Sequence, residues 1–333
     1  MIQAYAAHEP GGALAPFEYD PGTLAPTDVE IEVTHCGICH SDLSMIDDAW
    51  EMSRYPLVPG HEVAGRVAAV GDSVHQLAVG DRVGLGWHAG YCNTCAWCLE
   101  GDQNLCADAA GTIVGRHGGF ADRVRAQATS VVRLPDGLDL ASAGPLFCGG
   151  ITVFNPLVQF GIRPTDRVAV VGIGGLGHLA LQFFRAWGCE VTAFTSTASK
   201  RDELLALGAH DTLNSRDPDA LAGARGRFDL IVSTVNVSLD WNAYVRALRP
   251  RGRLHLVGAS AEPLQLSVFP MLGGQRSVSA SPVGAPATLA RMLEFAVRHD
   301  IRPQVERYPM SEVNAAIQHL RDGKARYRVV LER

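Results

Sequence analysis

The stretch "GYCNTCAWCLEGDQNLC", residues 90–106, gathers Cys92, Cys95, Cys98 and Cys106 into one short segment. No other feature limits the fold of this chain as much. Half of its eight cysteines lie here, at spacing C-x2-C-x2-C-x7-C. Disulfides would have to join residues only a few positions apart. Four thiolates in so short a loop suit a tetrahedral zinc ion instead. Gly90, Asn93 and Gly101 supply the turn-prone residues that such wrapping needs. With every ligand position filled, this zinc stabilises a loop and catalyses nothing, so any chemistry must lie elsewhere.

At 333 residues the chain exceeds one ordinary hydrophobic core, which makes two domains the expectation. A net charge of −6 argues against a nucleic-acid partner, because phosphate neutralisation needs clustered Lys and Arg. No apolar run is expected to reach the length of a membrane span, so no membrane partner is expected. The opening "MIQAYAAHEPGG" lacks the basic segment and apolar core of a signal peptide. The expected address is cytoplasmic, where thiols stay reduced.

The first half reads as β-rich: "VEIEVTHCGIC", "EVAGRVAAVG" and "DRVGLGW" cluster β-formers between turn residues. The rhythm changes near residue 151. "DRVAVVGIGGLGHLALQFFRAWG" is a short apolar strand, a glycine turn, then a helix with apolar residues at helical spacing. "CEVTAFTS", "FDLIVSTV" and "GRLHLVGAS" follow as strands with helices between them, and "RSVSASPV" adds another. Such alternation predicts an α/β, doubly wound parallel sheet covered on both faces.

Gly172, Gly174 and Gly177 fit G-x-G-x-x-G, with Gly175 and Leu176 between them. The first glycine permits a tight turn, the second lets a pyrophosphate approach the backbone, and the third brings helix against strand. The pattern predicts dinucleotide binding. An acid about 20 residues further on would select NAD. That region instead reads Thr195-Ser196-Thr197-Ala198-Ser199-Lys200-Arg201. Hydroxyls followed by two cations suit a 2′-phosphate, so NADP is expected over NAD. The competing account is that Lys200 and Arg201 merely begin a solvated helix.

A third set is dispersed: Cys39 in "CGICHSDL", His61 and Glu62 in "PGHE", and Cys148 in "LFCGGIT". Each has a structural explanation alone. Together, two thiolates and one imidazole form a three-ligand set that leaves a fourth position open, as catalytic zinc requires.

Over nearly its whole length the sequence resembles the zinc-dependent medium-chain alcohol dehydrogenases, most closely their cinnamyl alcohol dehydrogenase branch. The resemblance rests on "CGICHSDL", "VPGHEVAGRV", "VGDRVGLG", the four-cysteine loop, "GPLFCGGITVFNPL", "VGIGGLGHLALQF" and the closing "RYRVV". It implies a discontinuous, GroES-like catalytic domain from residues 1–150 and 285–333, and a Rossmann domain from 151–284. It further implies that Cys39, His61 and Cys148 bind catalytic zinc, with Glu62 able to approach the metal. Asp42 would orient His61, and Ser41 would hydrogen-bond the substrate alcohol and relay its proton. His40 and Arg328 would lie near the pyrophosphate, Thr152 near the nicotinamide, and Thr195, Ser196 and Lys200 in the NADP-phosphate pocket. The activity implied is hydride transfer between NADP(H) and a primary alcohol or aldehyde.

Two departures from the family pattern stand out. Ser44 occupies a position where many relatives carry a histidine, which unsettles the outer end of the proton relay. The region after Cys106 is shorter than in plant relatives. Trp50, Trp87, Met271, Leu272 and Val283 are the candidates for an apolar wall suited to aromatic or medium-chain aldehydes. They could equally fill a domain core. The competing activities are a polyol or secondary-alcohol dehydrogenase and, in another class, a non-catalytic nucleotide-binding or thiol-sensing protein. Relatives pair through an edge strand, so a homodimer is expected, with a tetramer as the alternative.

Overall fold

The long strand Asp28–Ile38 organises the first of two units and supplies partners on both sides. In a computed structural model describing residues 1–260 and 262–333, the chain divides into Met1–Ile151 with Val283–Arg333, and Thr152–Pro282. Alternation along Asp28–Ile38 turns Val29, Ile31 and Val33 inward, where each is fully or almost fully buried. Burying an aliphatic side chain of this size contributes about 2 kcal/mol. The strand Glu62–Val70 runs antiparallel on one flank with Gly37 opposite Glu62, and the C-terminal strand Arg328–Glu332 runs antiparallel on the other with Val329 opposite Ile38. Arg123–Gln127 pairs with the same strand, and the sheet extends through Arg82–Leu85 to Val131–Arg133. Both ends of the chain therefore belong to one β-rich, GroES-like unit.

In the second unit six parallel strands form one sheet: β1 (Arg167–Val171), β2 (Glu190–Thr195), β3 (Asp211–Asn214), β4 (Phe228–Ser233), β5 (Leu248–Leu256) and β6 (Ser277–Ala280). Their spatial order, β3-β2-β1-β4-β5-β6, is that of the Rossmann fold. Val168, Ala169, Val170 and Val171 are all buried, the continuous apolar run that a doubly covered parallel strand demands. Sequence reading did not single out β3, whose "DTLN" carries neither an apolar run nor alternation.

One expectation is corrected here. Leu140–Gln159 forms a continuous 20-residue helical segment with mean hydropathy 1.3, long and apolar enough to cross a membrane by length and composition. In the sequence Ser142, Pro145, Thr152, Asn155 and Pro156 disguise it as shorter pieces. It is a core element, since most of its apolar stretch is buried. Its middle, Leu146–Gly150, is a π-helical turn, a local widening that often accompanies function and here carries Cys148.

Candidate active site

Three segments of the first unit converge on one buried point. Cys39 caps the helix His40–Ile46 just beyond the long strand, His61 and Glu62 open the next strand, and Cys148 sits in the π-helical turn. One ligand atom from each of these four residues lies within 4.8 Å of the others. The Cys39 and Cys148 sulfurs are 3.8 Å apart. His61 and Glu62 are fully buried.

Asp42 ties the segments together. Its Oδ1 accepts from His61 Nδ1 and Gly60 N, both at 2.9 Å, and its Oδ2 accepts from Cys39 N at 2.8 Å. With Nδ1 so engaged, His61 Nε2 is left buried without a hydrogen-bond partner, as is Glu62 Oε2. Unpaired buried polar atoms are costly unless something binds them. Two sulfurs, one imidazole nitrogen and one carboxylate oxygen form a donor set that fits zinc.

Electrostatics support the fit. Burial resists charge on His61, yet the Asp42 carboxylate raises its pKa well above the usual histidine range. Burial pushes the Glu62 carboxyl up to about 7 even though the Arg328 guanidinium opposes the shift. Contact with Cys148, outweighing burial, pulls the Cys39 thiol well below its ordinary value, with His61 and Arg328 assisting. The same contact and burial push Cys148 up. A cation at the centre would relieve both thiols and the carboxylate together.

Arg328, expected near a pyrophosphate, is 4% exposed and donates from Nη2 to Glu62 Oε1. Sequence reading did not pair these residues. Gly37 was also overlooked: a Cβ there would overlap Glu62 Oε2, so the "CGIC" glycine makes room for that carboxylate. Ser41 Oγ lies 3.7 Å from Cys39 Sγ. His40 is exposed at the start of its helix, and Ser44 is half-buried on that helix.

The four-cysteine lobe closes on itself. Cys92 Sγ lies 3.5 Å from Cys106 Sγ and 3.9 Å from Cys98 Sγ, and all four sulfurs fall within 4.8 Å of one another. Backbone N–H groups of Thr94 and Cys95 bring the Cys92 thiol down to about 6, favouring thiolate. This donor set also fits zinc.

In the second unit two glycines of the turn are required sterically and the third faces open space. Gly172 has φ +87°, Gly174 has no heavy atom within 4 Å of where a Cβ would stand, and a Cβ on Gly177 would overlap the Gly172 carbonyl. Gly175 and Leu176 complete the turn, and the helix Gly177–Trp187 follows directly. At the end of β2, Thr195 Oγ1 accepts from Thr197 N at 3.2 Å, shaping the loop, while Ser196 is exposed. Arg201 donates to Thr212 Oγ1 at 2.8 Å and lies 3.7 Å from Asp211.

The remaining candidates fall in both units. Trp87 stacks edge-on to His61 at 5.1 Å between centroids, and Trp50 meets Trp87 at 6.0 Å, so these two rings adjoin the buried cluster. Val283 is half-buried at the start of the returning segment. In the second unit Met271 packs against the core, Leu272 is 67% exposed, and Thr152 is buried.

Residues 25–136 match the alcohol dehydrogenase GroES-like domain family and residues 175–298 match the zinc-binding dehydrogenase family. Fold and donor sets thus define a zinc-binding dehydrogenase. The aldehyde reductase AdhA of Synechocystis sp. is 65% identical over 331 residues, covering 99% of this chain and 98% of that protein. A cinnamyl alcohol dehydrogenase from Sorghum bicolor superposes with a TM-score of 0.95 at 37% identity, covering 99% of this chain and 97% of that one. A cinnamyl alcohol dehydrogenase from Helicobacter pylori, solved with NADP(H), gives 0.91 at 29% identity and the same coverage. The chain belongs to the zinc-dependent medium-chain alcohol dehydrogenases, in their cinnamyl alcohol dehydrogenase branch.

Proposed function

We propose that this chain is an NADPH-dependent aldehyde reductase holding two zinc ions, one catalytic and one structural. The observation that carries the reading is the buried cluster with its unpartnered His61 Nε2 and Glu62 Oε2. Cys39, His61 and Cys148 would hold the catalytic ion, Glu62 would stand beside it, and Cys92, Cys95, Cys98 and Cys106 would hold the structural one. Bound there, zinc supplies Lewis acidity toward a carbonyl oxygen, and a nicotinamide supplies the hydride.

The chain's own residues do the rest. Asp42 engages His61 Nδ1, which leaves Nε2 as the ring nitrogen whose lone pair would face the ion once the ring is neutral. Arg328 balances Glu62, so the cluster does not carry an unpaired carboxylate. The Ser41 hydroxyl, beside Cys39, is suited to hold a proton for the substrate oxygen. Trp50 and Trp87 offer flat apolar surface beside His61, which favours aromatic or medium-chain aldehydes. The hydroxyls after β2, without an acid, support NADP over NAD, and NADPH favours aldehyde reduction as the cellular direction.

Two further parts belong to this reading. Among the described residues no strand pairs with the outer side of β6, and Val268, Phe269 and Leu272 are exposed on the short helix preceding it, which supports a homodimer through that edge. All eight cysteines are free thiols, in keeping with a reducing, cytoplasmic setting.

Metal analysis combined with NADPH consumption across aromatic and aliphatic aldehydes tests the proposal. Two zinc ions per chain and turnover of aldehydes are expected, and Cys148→Ser should lose one zinc and the activity together. A Cys148→Ser protein that keeps full activity with one zinc fewer overturns the catalytic assignment. Polyol or secondary-alcohol oxidation dominating the panel would replace the substrate class.

A further inference from the structure

We propose that Arg216, on the loop after β3, is the guanidinium that selects a 2′-phosphorylated cofactor. The inference rests on the NADP reading above and names a residue that the glycine-turn and β2 motifs do not include.

Two arginines near β2 and β3 are already engaged elsewhere. Arg201, which the sequence offered for the phosphate, bonds Thr212 and faces Asp211 at the start of β3. Arg227 reaches the same Asp211 at 3.3 Å and Glu190 at 3.6 Å. Asp211 stands opposite Thr192, three positions before Thr195 along β2. At about 3.3 Å per residue, that contact draws Arg201 roughly 10 Å back from the carboxyl end of β2. Ligands of such sheets bind beyond the carboxyl ends of the strands, and Arg201 is held away from there.

Arg216 is held toward it. Thr195 is paired with Asn214, and Ser215 N donates to Thr195 O at 3.0 Å. This carries the chain after β3 alongside Ser196 and Thr197. Arg216 N donates to Asn214 Oδ1 at 3.0 Å, which fixes the backbone bearing the side chain. The Arg216 side chain is exposed and has no hydrogen bond or ion pair among the described residues. The next acid, Asp217, is occupied as a helix cap, its Oδ1 accepting from Asp219 N at 2.9 Å. Neighbouring strands lie about 4.8 Å apart, within the span of an arginine side chain. A fork of N–H donors is then within reach of the Ser196 position, suited to a dianionic phosphate.

Calorimetric binding of 2′,5′-ADP and 5′-AMP to the zinc-loaded chain tests this without turnover. Wild type should bind 2′,5′-ADP more tightly. Arg216→Ala should weaken 2′,5′-ADP about tenfold, the scale of one charge-assisted hydrogen bond, and leave 5′-AMP within about twofold. Arg216→Lys should restore part of the loss, and Arg201→Ala should move both ligands alike. Arg216→Ala binding both ligands as wild type does, or losing both equally, overturns the assignment and leaves the NADP reading standing. Equal binding of the two ligands by wild type overturns the NADP reading itself, and Arg216 with it.

Discussion

Asp42 and His61 meet at 2.9 Å with neither side chain exposed to solvent, and the same carboxylate accepts backbone N–H groups from Cys39 and Gly60. One side chain therefore orients the His61 imidazole and fixes the segments that carry Cys39 and His61. Asp42→Asn removes one acceptor from that arrangement. Affinity for the catalytic zinc should fall about 10–100-fold, while the four-thiolate zinc is unchanged. A chelator titration that follows zinc per chain would show one ion leaving early. Both ions leaving at wild-type chelator concentrations would contradict the role given to Asp42.

The glycine turn offers a paired test of fold against binding. Gly177→Ala places a methyl group against the Gly172 carbonyl and should cost about 1–3 kcal/mol of stability. Gly174→Ala meets no atom within 4 Å and should melt as wild type does, yet bind NADPH more weakly. Thermal unfolding and NADPH fluorescence titration separate the two effects. A strongly destabilised Gly174→Ala would show that the space above the turn serves packing instead.

Cofactor choice is testable from the β2 side as well. Ser196→Asp puts a carboxylate where the 2′-phosphate is expected and should reduce kcat/KM for NADPH far more than for NADH. One charge repulsion of this kind is worth about tenfold or more. An unchanged ratio of the two constants would remove Ser196 from the pocket.

His255 predicts an acid limit. Burial brings its pKa down to about 4, and both ring nitrogens are in hydrogen-bonding contact at 2.9 Å, with Ser279 and Ser281 of the β6 region. The unfolded chain binds this proton near 6.5 and the folded chain only near 4. Its contribution is therefore complete above pH 6.5 and is lost as pH falls toward 4, up to about 3 kcal/mol in all. Urea titrations at several pH values should show that slope, reduced in His255→Asn. An identical slope in the variant would assign the acid limit to other groups.

Much of this was legible because it was local. The four-cysteine loop, the glycine turn and the apolar strand "VAVV" each declare themselves within a few residues. The Cys39–His61–Cys148 set needed family resemblance, since spacing alone cannot show that distant segments converge. Other features depended on contacts that no local pattern records. The need for glycine at position 37 follows from the Glu62 carboxylate on a neighbouring strand. The capture of Arg201 by Thr212 and Asp211 depends on β3, a strand with no apolar signature. The membrane-length helix was missed for the opposite reason: its polar residues and prolines read as breaks, although the folded segment runs through them.

Glu62 and its Arg328 counter-ion stand 266 positions apart, and Arg328 opens the final strand. The thiol and imidazole groups of the cluster thus depend for charge balance on a strand far from them in sequence. Glu62 gains that counter-ion only where the strand Arg328–Glu332 is paired with Asp28–Ile38. Removing the strand that carries Arg328 would therefore leave the Glu62 carboxyl in the interior without its guanidinium.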